Sequence, residues 1–554
     1  MGNRPRPLVL TIVDTTGIQE YIFGSNKLQH SIGASYLVHW ATNGAVYETL
    51  HQLEGGARAT NVRLDGVIEQ DRQLGAGGVA AELLYSGGGN AVILFRDLPL
   101  AQTFTRRLTR LLLDKAPGLQ VVVVHHPVTD AAAVLADAVQ SAMQRMAKKK
   151  QQRRHSMPLL GLGVTAMCGY TGMPAVAEDA EDKDRRLISA EIQAKNAILN
   201  DAEQRLRADV QDQLRDAKLW FIRDFDDLGS KGESSYMAVV YIDGNGMGKR
   251  VEALASHHAG SDDDYIIAMR NFAASIQTAA RVALRDAVRT LQMAIREEQG
   301  QERIGGVIPI KGKRLPFRPI VFGGDDATFV CDGRLGLTLA ELYLRAMEQK
   351  LSDGETLYAR AGVAVVKSHY PFSRAYELAE ELAKSAKTFI QEHQAKFGES
   401  RLSALDWHFG VNGVVLGLKE LRARDYHCAG ADAGALTMRP VLVNDAALSA
   451  SARPWRTWDT FTKIIDVFRD PNGDWAQSRN KLKKLRETLR EGPEATEQFL
   501  QIAAPGKRLY EVPGNLGSAE TGWIVGERST CFDAVEALDF YIPLVEATAP
   551  GGEE

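Results

Sequence analysis

Short apolar runs that end in an acidic residue recur along the chain and predict its strands. One such run begins at Ala238 and reaches Asp243, where a glycine-rich stretch with Gly244 and Gly246 follows. A continuous apolar run of this length, bounded by turn-forming residues, is typical of a buried strand. The pattern therefore predicts a strand whose acidic end opens into a loop with a permissive backbone.

Two further apolar runs surround a second acidic motif. Residues 319–330 contain these runs, separated by Gly323, Gly324, Asp325 and Asp326. Such a turn between two apolar runs predicts a β-hairpin with adjacent carboxylates at its tip. Taken alone, Gly-Gly-Asp-Asp is also typical of an ordinary surface hairpin, but the preceding strand with its acidic end favours a functional interpretation.

Segments between and after these strands show the spacing of apolar residues that is typical of helices. Apolar residues recur at helical spacing from Ser261 to residue 295, and Ser261 with an acid at the third position indicates the start of a helix. Residues 175–232 are strongly charged and predict a linker that leads into a helix. Beyond about residue 410, residues 457–469 and 474–491 predict two more helices.

The same order of elements occurs twice. An apolar run that ends at Asp14 is followed by a hairpin motif in residues 85–95, whose turn carries Gly88, Gly89 and Asn90. In both copies a β-rich run closed by proline and an amphipathic helix follow the hairpin, so the chain is predicted to be duplicated. Because Gly89 and Asn90 are neutral and cannot offset the charge of a divalent cation, we expect the first copy to be catalytically silent and the second to be active.

The acidic residues of the second copy predict a metal site. Mg²⁺ prefers oxygen ligands and usually binds through one or two carboxylates together with substrate phosphates. Asp243, Asp325 and Asp326 lie at the ends of strands that are predicted to be neighbours. We therefore expect these three residues to be catalytic and to hold two Mg²⁺ or Mn²⁺ ions against a nucleoside triphosphate.

Glycines beside the acids predict a phosphate-binding backbone. Gly244 and Gly246 follow the strand, and Gly323 and Gly324 form the turn of the hairpin. Glycine allows a phosphate to approach the main chain, and successive N–H groups can form an anion-binding nest. Lys249 comes just after the first glycine turn, and the sequence leaves open whether it contacts phosphate or is an ordinary solvated lysine.

The order of these motifs resembles a known family. A strand with its aspartate, helices, a Gly-Gly-Asp-Asp hairpin, a strand and a helix resemble the ferredoxin-like palm of GGDEF cyclases, class III nucleotide cyclases and DNA polymerases. More narrowly, residues 8–410 resemble the large polymerase/cyclase subunit of type III CRISPR effector complexes. The segments that carry this resemblance, in the family's order, are 14–23, 33–38, Asp243, 323–326, 383–387 and 406–408.

The resemblance implies an α+β fold with two ferredoxin-like palm domains and a C-terminal helical domain. In the resembled subunit the C-terminal domain contacts partner subunits, and we expect the same type of role here. The predicted divisions are a silent first palm in residues 1–165, a linker in 166–232, an active second palm in 233–410 and a helical accessory domain in 411–554.

The resemblance also assigns the substrate-binding residues. Lys387 stands where the family's lysine meets the triphosphate, and the positions three and four residues before it carry no acid, unlike those before Lys384. We expect the second palm to bind the donor triphosphate, and the first-palm hairpin with Gly88, Gly89 and Asn90 to hold the acceptor nucleotide.

Two departures from the family limit the expected chemistry. The family's HD nuclease domain needs a His-Asp dipeptide, which this sequence lacks, so no nuclease activity is expected. At the place of the family's zinc-binding Cys-x-x-Cys, the chain has a single thiol, Cys168, followed by Gly-Tyr-Thr. One thiol does not provide the four ligands of a structural zinc site, so no zinc is expected.

Composition is that of an ordinary globular protein with several domains. The chain of 554 residues is 45% hydrophobic and 25% charged, and its four cysteines show no paired spacing. No apolar run is long enough to span a membrane, and we expect a cytoplasmic protein without a membrane partner. A net charge of −4 argues against a general nucleic-acid coat protein, although local basic patches could still contact RNA.

The preferred interpretation is a nucleotidyltransferase or cyclase that makes cyclic oligonucleotide second messengers from ATP, or another NTP, by two-metal catalysis in antiviral defence. Expected partners by resemblance are guide and target RNA and other type III subunits, in a homo- or hetero-oligomer. One alternative is a non-catalytic scaffold or RNA-binding subunit of such a complex. A template-dependent polymerase is disfavoured, because the sequence shows no obvious fingers or duplex-binding basic groove.

Overall fold

Two β-sheets of related topology dominate the computed structural model of this chain. In each sheet a central strand carries an aspartate near its C-terminal end. The structure describes residues 7–75, 78–129, 134–152, 163–214, 216, 218–229, 235–258, 260–410, 417–428, 434–443, 455–512, 519–524 and 527–544.

The N-terminal unit contains the first of these sheets. Its elements are β1 (Leu8–Thr16), α1 (Ile18–Phe23), α2 (Leu28–Thr42), α3 (Gly44–His51), β2 (Ala81–Gly87), β3 (Asn90–Phe95), α4 (Leu98–Lys115), β4 (Gln120–Val128) and α5 (Leu135–Gln151). The strand order is β2-β3-β1-β4, and β1 is antiparallel to both of its neighbours.

Burial on both faces explains the continuous apolar sequence of β1. Successive side chains of a strand point to opposite faces of the sheet. Val9 and Val13 belong to the core formed with α3 and α4, whereas Leu10 and Ile12 belong to the large central core that also includes the second sheet. Neither face is left to solvent, so an alternating polar pattern would have been destabilising here.

The charged middle segment folds against both units. Its elements are β5 (Ala175–Glu178), β6 (Leu187–Ser189), α6 (Ala190–Ala197), α7 (Leu199–Val210) and β7 (Trp220–Phe221). The ammonium group of Lys195 on α6 donates to the carbonyl of Tyr21 at 2.6 Å, and Arg205 on α7 donates to the carbonyl of Phe322 at 3.1 Å. The linker helices therefore contact the first unit and the acidic hairpin of the second.

The second unit repeats the arrangement and enlarges it. Its elements are β8 (Tyr236–Gly244), α8 (Met247–His257), α9 (Asp262–Met293), β9 (Ile295–Glu298), β10 (Gln301–Ile304), β11 (Ile308–Pro309), β12 (Arg314–Leu315), β13 (Phe317–Val321), β14 (Asp326–Asp332), α10 (Gly336–Met347), β15 (Ala359–Lys367), α11 (Phe372–Phe397) and β16 (Ala404–Gly410). As the spacing predicted, α9 is a long helix, and the Ser261 side chain accepts a hydrogen bond from the backbone N–H of Asp264 at its start.

The C-terminal part is mainly helical. Its elements are α12 (Leu418–Asp425), β17 (Val441–Leu442), α13 (Trp458–Arg469), α14 (Arg479–Glu491), α15 (Pro493–Ile502), β18 (Trp523–Ile524), β19 (Arg528–Ser529) and α16 (Phe532–Ala537). The helices α13 and α14 lie where the sequence predicted them. The strand β17 pairs with β16, so this part also adds a strand to the second sheet.

Both sheets have the ferredoxin-like palm order. The order β13-β14-β8-β15 in the second sheet corresponds to β2-β3-β1-β4 in the first, with β16 and β17 added at one edge. In each, a hairpin lies on one side of the aspartate strand and a crossover strand on the other. The fold class is therefore α+β, with two palms, as predicted. The proposed domain limit at 232/233 lies outside the described residues, the limit at 410/411 lies at their edge, and the divisions stay predictions.

The helices were compared with the length and hydropathy of a membrane-spanning segment. Within the part of the chain that the structure describes, no helix has the length and apolar character needed to cross a bilayer.

Candidate active site

Asp243 and Asp326 lie opposite each other on neighbouring antiparallel strands. They are register partners in the pairing of β8 with β14, so their side chains project from the same face of the sheet. The backbone N–H of Gly244 donates to the carbonyl of Asp325 at 2.9 Å, which ties the hairpin turn to the end of β8. The structure thus brings together the three acidic residues that the sequence singled out.

Two glycines make this close approach feasible. Gly323 has φ +96°, a left-handed conformation that L side chains rarely adopt. A Cβ atom on Gly244 would lie 3.1 Å from the Cβ of Asp325, closer than most such contacts in proteins. The glycines that the sequence assigned to phosphate binding are therefore also required by the turn itself.

Burial raises the pKa of all three carboxyl groups, and the charges of neighbouring acids in the group raise it further for Asp325 and Asp326. Burial, followed by the charges of Asp325 and Asp243, raises the pKa of Asp326 to about 7. Burial and the charge of Asp243 raise the pKa of Asp325 in the same way. The pKa of Asp243 is also raised by burial, although a neighbouring arginine opposes the shift. A bound cation would relieve this concentration of negative charge.

That neighbouring arginine, Arg360, is a residue that the sequence interpretation missed. It lies opposite Asp243 on β15. Its guanidinium group donates to the Asp243 carboxylate, to the carbonyl of Gly244 at 3.2 Å and to Oδ1 of Asn245 at 2.8 Å. One oxygen of Asp243 is therefore engaged within the protein. The signal available in the sequence was a single arginine inside the apolar run of β15.

The chemistry of these residues fits a hard divalent cation. Carboxylate oxygens are the ligands that Mg²⁺ and Mn²⁺ prefer. As the side chains stand, however, the described residues contain no group of three or more His, Cys, Asp or Glu side chains arranged to hold a metal ion. Coordination by Asp243, Asp325 and Asp326 together would therefore require at least one of these side chains to rotate, and Arg360 to share Asp243.

The two candidate lysines occupy different places. Lys387 is an exposed residue of α11, near enough to Asp243 for its positive charge to oppose the rise that burial causes in the pKa of that carboxyl group. The described ion pairs include Lys384 with Glu380 at 3.0 Å and none with Lys387. Lys249 is exposed on the first turn of α8 and lines a separate cavity of about 770 Å³ between α8 and α9.

The first palm has the same backbone geometry with different chemistry. Asn90 is the register partner of Asp14, as Asp326 is of Asp243. The N–H of Thr15 donates to the carbonyl of Gly89 at 2.9 Å, which matches the bond between Gly244 and Asp325. Gly89 and Asn90 therefore stand structurally where the second palm has its two acids.

A lysine neutralises the aspartate that the first palm retains. The ammonium group of Lys150 lies 2.6 Å from a carboxylate oxygen of Asp14 and 3.4 Å from the carbonyl of Thr15. Counted from the first residue of the helix, Lys150 occupies the same position in α5 as Lys387 does in α11. The first palm thus balances its single carboxylate with a cation of its own.

Comparison with solved structures identifies the fold. A chain of a Csm1–Csm4 cassette in complex with AMPPNP is similar, with a TM-score of 0.51 and 13% identity, over 97% of this chain and 70% of that one. The chain has the Csm1 fold. A cassette with one ATP has a TM-score of 0.50 at 13% identity, covering 98% and 71%. Csm1 of T. onnurineus has a TM-score of 0.49 at 13% identity, covering 96% and 70%.

Comparison with sequences is uninformative by contrast. No protein-family model matches the chain, and the comparison with curated proteins finds no match either.

A cavity of about 600 Å³ lies between the two palms of this Csm1-like fold, and both hairpins reach it. Gly87 to Gly89 line it from the first palm, and Gly323, Gly324 and Asp326 line it from the second. Asp243, Asp325 and Asn90 are not among the described residues that line it. The two hairpins, distant in sequence, therefore share one cavity of a size suited to small molecules.

The segment 406–408, which is part of the family resemblance, does not line this cavity and makes its contacts elsewhere. Asp406 accepts hydrogen bonds from Arg422 on α12, the shortest at 2.6 Å, and Trp407 is buried in the central core. Burial lowers the pKa of His408 to about 3, so its imidazole is neutral. These residues hold β16 against the C-terminal helices.

Proposed function

We propose that this chain is a metal-dependent nucleotidyltransferase that joins nucleoside triphosphates into a cyclic oligonucleotide. The observation that carries the proposal is the placement of Asp243 opposite Asp326, with Asp325 tied to the same turn, beside a cavity shared with the hairpin of the other palm. Two facing hairpins provide separate places for a donor and an acceptor nucleotide, which is what bond formation between two nucleotides requires.

The assignment of ATP as substrate rests on the neighbours with the same fold. One of these structures contains AMPPNP and another contains one ATP. The cyclic oligoadenylate product follows from the resemblance of the motifs to the polymerase/cyclase subunit of type III CRISPR complexes. We extend the proposal to a role in CRISPR-type or related antiviral defence, with guide and target RNA and partner subunits as activators.

The chain's own residues suit phosphoryl transfer without a protein nucleophile. Asp243, Asp325 and Asp326 would hold two Mg²⁺ or Mn²⁺ ions, which neutralise phosphate charge and lower the pKa of a ribose hydroxyl. Gly323 and Gly324 leave room for a triphosphate against the backbone of the turn.

Cationic residues complete the donor side of this site. Lys387 lies near Asp243 without a described acidic partner and is suited to bind the donor phosphates. Arg360 orients the Asp243 carboxylate through its bonds to the neighbouring backbone and to Asn245. Gly246 precedes α8 in a left-handed conformation, and the N-terminal end of that helix, which favours negative charge, follows the end of β8 after a short turn.

A scaffold or RNA-binding subunit is the second candidate. The pairing of Arg360 with Asp243, and the lack of a preformed metal-binding group among the described residues, favour it. Nuclease activity is not part of either proposal, because the sequence contains no His-Asp dipeptide.

Product analysis separates the two candidates. The purified chain is incubated with ATP and Mg²⁺ or Mn²⁺, alone and with guide RNA, target RNA and partner subunits, and the products are identified by mass spectrometry. We expect cyclic oligoadenylate from the wild type, and at least a 100-fold loss in the double variant Asp325→Asn, Asp326→Asn. The matched control is Glu297→Gln with Glu298→Gln, an adjacent pair of exposed acids on β9.

A different result would favour the scaffold over the nucleotidyltransferase. RNA and partner binding by both wild type and the double variant, with no nucleotide product in any mixture, would favour the scaffold.

A further inference from the structure

Arg205 places a guanidinium group directly beside the acidic hairpin. The residue lies on α7, in the segment that links the two palms. Its Nη2 atom donates to the carbonyl of Phe322 at 3.1 Å, and the guanidinium carbon lies 4.2 Å from the centroid of the Phe322 ring. A Cβ atom on Gly323 would be 3.4 Å from the same Nη2. The cation is therefore fixed at the Gly-Gly turn, where it lines the cavity between the palms.

Arg205 differs from the other arginines that line this cavity. Arg270 pairs with Glu82 at 3.2 Å, and Arg281 pairs with Asp209 at 3.0 Å. Within the described part of the chain, Arg205 has no carboxylate at ion-pair distance, and its hydrogen bond to a backbone carbonyl uses one of five N–H donors. A guanidinium in this state retains the planar, multiple-donor edge that binds phosphate.

The first palm contributes no lysine or arginine to the described lining of this cavity, and so no comparable cation for an acceptor nucleotide. Its hairpin residues Gly88, Gly89 and Asn90 are neutral, and the ammonium group of Lys150 is engaged by Asp14. A nucleotide held by this hairpin still carries several negative charges that need a counter-charge in a partly enclosed cavity. Burial lowers the pKa of Arg205 to about 10, which leaves the side chain charged at neutral pH.

We propose that Arg205 binds the phosphates of the acceptor nucleotide in the cavity between the two hairpins. The inference rests on the proposed function and extends it, because it assigns the second substrate to a residue of the linker rather than of either palm. Since α7 also contacts the second hairpin, the linker would place donor and acceptor relative to each other.

The competing explanation is structural. The hydrogen bond from Arg205 to Phe322 could serve only to hold the second hairpin in place. That role predicts that loss of Arg205 disturbs both nucleotide sites and lowers thermal stability. Phosphate binding predicts instead the selective loss of one site.

Calorimetric titration with α,β-methylene ATP and Mg²⁺ distinguishes these roles, because this analogue binds without reacting at its α–β bridge. We expect the wild type to bind two molecules per chain. In Arg205→Met we expect one site to weaken by about 10- to 100-fold, the usual effect of removing a charge-assisted hydrogen bond, with the other unchanged. Arg205→Lys keeps the charge without the planar donor edge and should lie between these values.

Arg207→Met is the matched control in the same helix. Its guanidinium lies 4.8 Å from the centroid of the Trp220 ring and does not line the cavity. This variant should bind both molecules as the wild type does. Two unweakened sites in Arg205→Met, or equal weakening of both sites with a lowered Tm in both Arg205 variants, would overturn the inference. A wild type that binds fewer than two molecules would do the same.

The titration of the Arg205 variants and the product analysis can succeed or fail independently of each other. If wild type makes cyclic product and Arg205→Met binds both molecules normally, the assignment of Arg205 is wrong and the synthase stands. If wild type makes no product with any activator, but one of two nucleotide sites depends on Arg205, the binding assignment stands and the synthase does not.

Discussion

The carboxylates of Asp243 and Asp326 project from the same face of the second sheet, as register partners on strands that are joined through more than eighty residues of chain. The helix α8, the long helix α9 and a small three-stranded sheet lie between them in sequence. The pairing is therefore set by the global fold of the palm and not by a local turn. Burial raises the pKa of Asp243 and Asp326, and the charge of Asp243 raises that of Asp326 further, which has measurable consequences.

Stability should fall as pH rises from about 4 to about 7 and then level off. The pKa of Asp326 is raised from 3.8 to about 7, so the folded state binds a proton more tightly than the unfolded state does. The resulting stabilisation is fully present below about pH 4 and is lost as pH rises toward 7, with an upper limit of roughly 4 kcal/mol. Urea unfolding in EDTA at several pH values measures it.

The variant Asp326→Asn should lose most of this pH dependence and be more stable than the wild type at pH 8. Glu297→Gln, which removes an exposed acid, should behave as the wild type does. An unchanged pH profile in Asp326→Asn would contradict the assignment of the raised pKa to this residue.

Removal of Arg360 should strengthen cation binding. The variant Arg360→Gln leaves the Asp243 carboxylate without its guanidinium partner and makes the acidic group more negative. We expect a lower Tm in EDTA, and about a tenfold decrease in the Mg²⁺ concentration needed for half of the thermal stabilisation. Differential scanning fluorimetry across a Mg²⁺ titration measures both effects.

Arg345→Gln is a suitable control, because it removes an arginine from another partly buried ion pair, that of Arg345 with Glu341 on α10. If Arg360→Gln needs more Mg²⁺ than the wild type, Arg360 supports cation binding instead of competing with it.

Loss of Lys150 should destabilise the first palm. The variant Lys150→Met leaves Asp14 partly buried without a counter-charge, at an expected cost of about 1–2 kcal/mol. Since the pair is partly exposed, solvent screening keeps this value below that of a fully buried pair. Urea unfolding of both single variants and of the double variant Lys150→Met, Asp14→Asn gives the coupling energy.

In that cycle the double variant should recover much of the stability lost in Lys150→Met. Strict additivity of the two single changes would show that the ion pair contributes nothing measurable.

Substitution of Gly323 should strain the acidic hairpin. The variant Gly323→Ala places a side chain at φ +96° and brings its Cβ to 3.4 Å from Arg205. We expect a loss of about 1–2 kcal/mol in the free energy of unfolding, together with reduced nucleotide binding. Gly260→Ala is the matched control, because no atom lies within 4 Å of the added Cβ and its φ is not positive. Equal effects of the two changes would contradict the requirement for glycine at the turn.

Local patterns in the sequence were sufficient to predict much of the fold. The strand that carries Asp243, the hairpin at Asp325 and Asp326 and the helix after Ser261 all follow from periodicity and turn chemistry. The duplication predicted that Asn90 would stand in the place of an acid, and the strand register agrees. The strand, the hairpin and the helix each depend on residues that are near each other in the chain, whereas the register of Asn90 with Asp14 followed from the repeat.

Contacts between distant segments were not predictable in the same way. Arg360 meets Asp243 because the crossover strand β15 lies next to β8, and Lys150 meets Asp14 because α5 crosses back over β1. Arg205 reaches Phe322 only through the packing of the linker. Lys249 was a candidate for phosphate contact by its position along the chain, but the direction of α8 places it in a separate cavity.

The cation that balances Asp14 is the ammonium group of Lys150, which belongs to the chain and cannot dissociate from it as a dissolved metal ion can. Under the proposed function, the palm that contains Asp14 keeps its charge balance at any divalent-ion concentration, because Lys150 supplies the cation. The palm that contains Asp326 would take its cations from solution. The two palms would thus differ in the source of their counter-charge, which is a side chain in the first and dissolved ions in the second. Removal of divalent ions should consequently lower the stability of the second palm and leave that of the first palm unchanged.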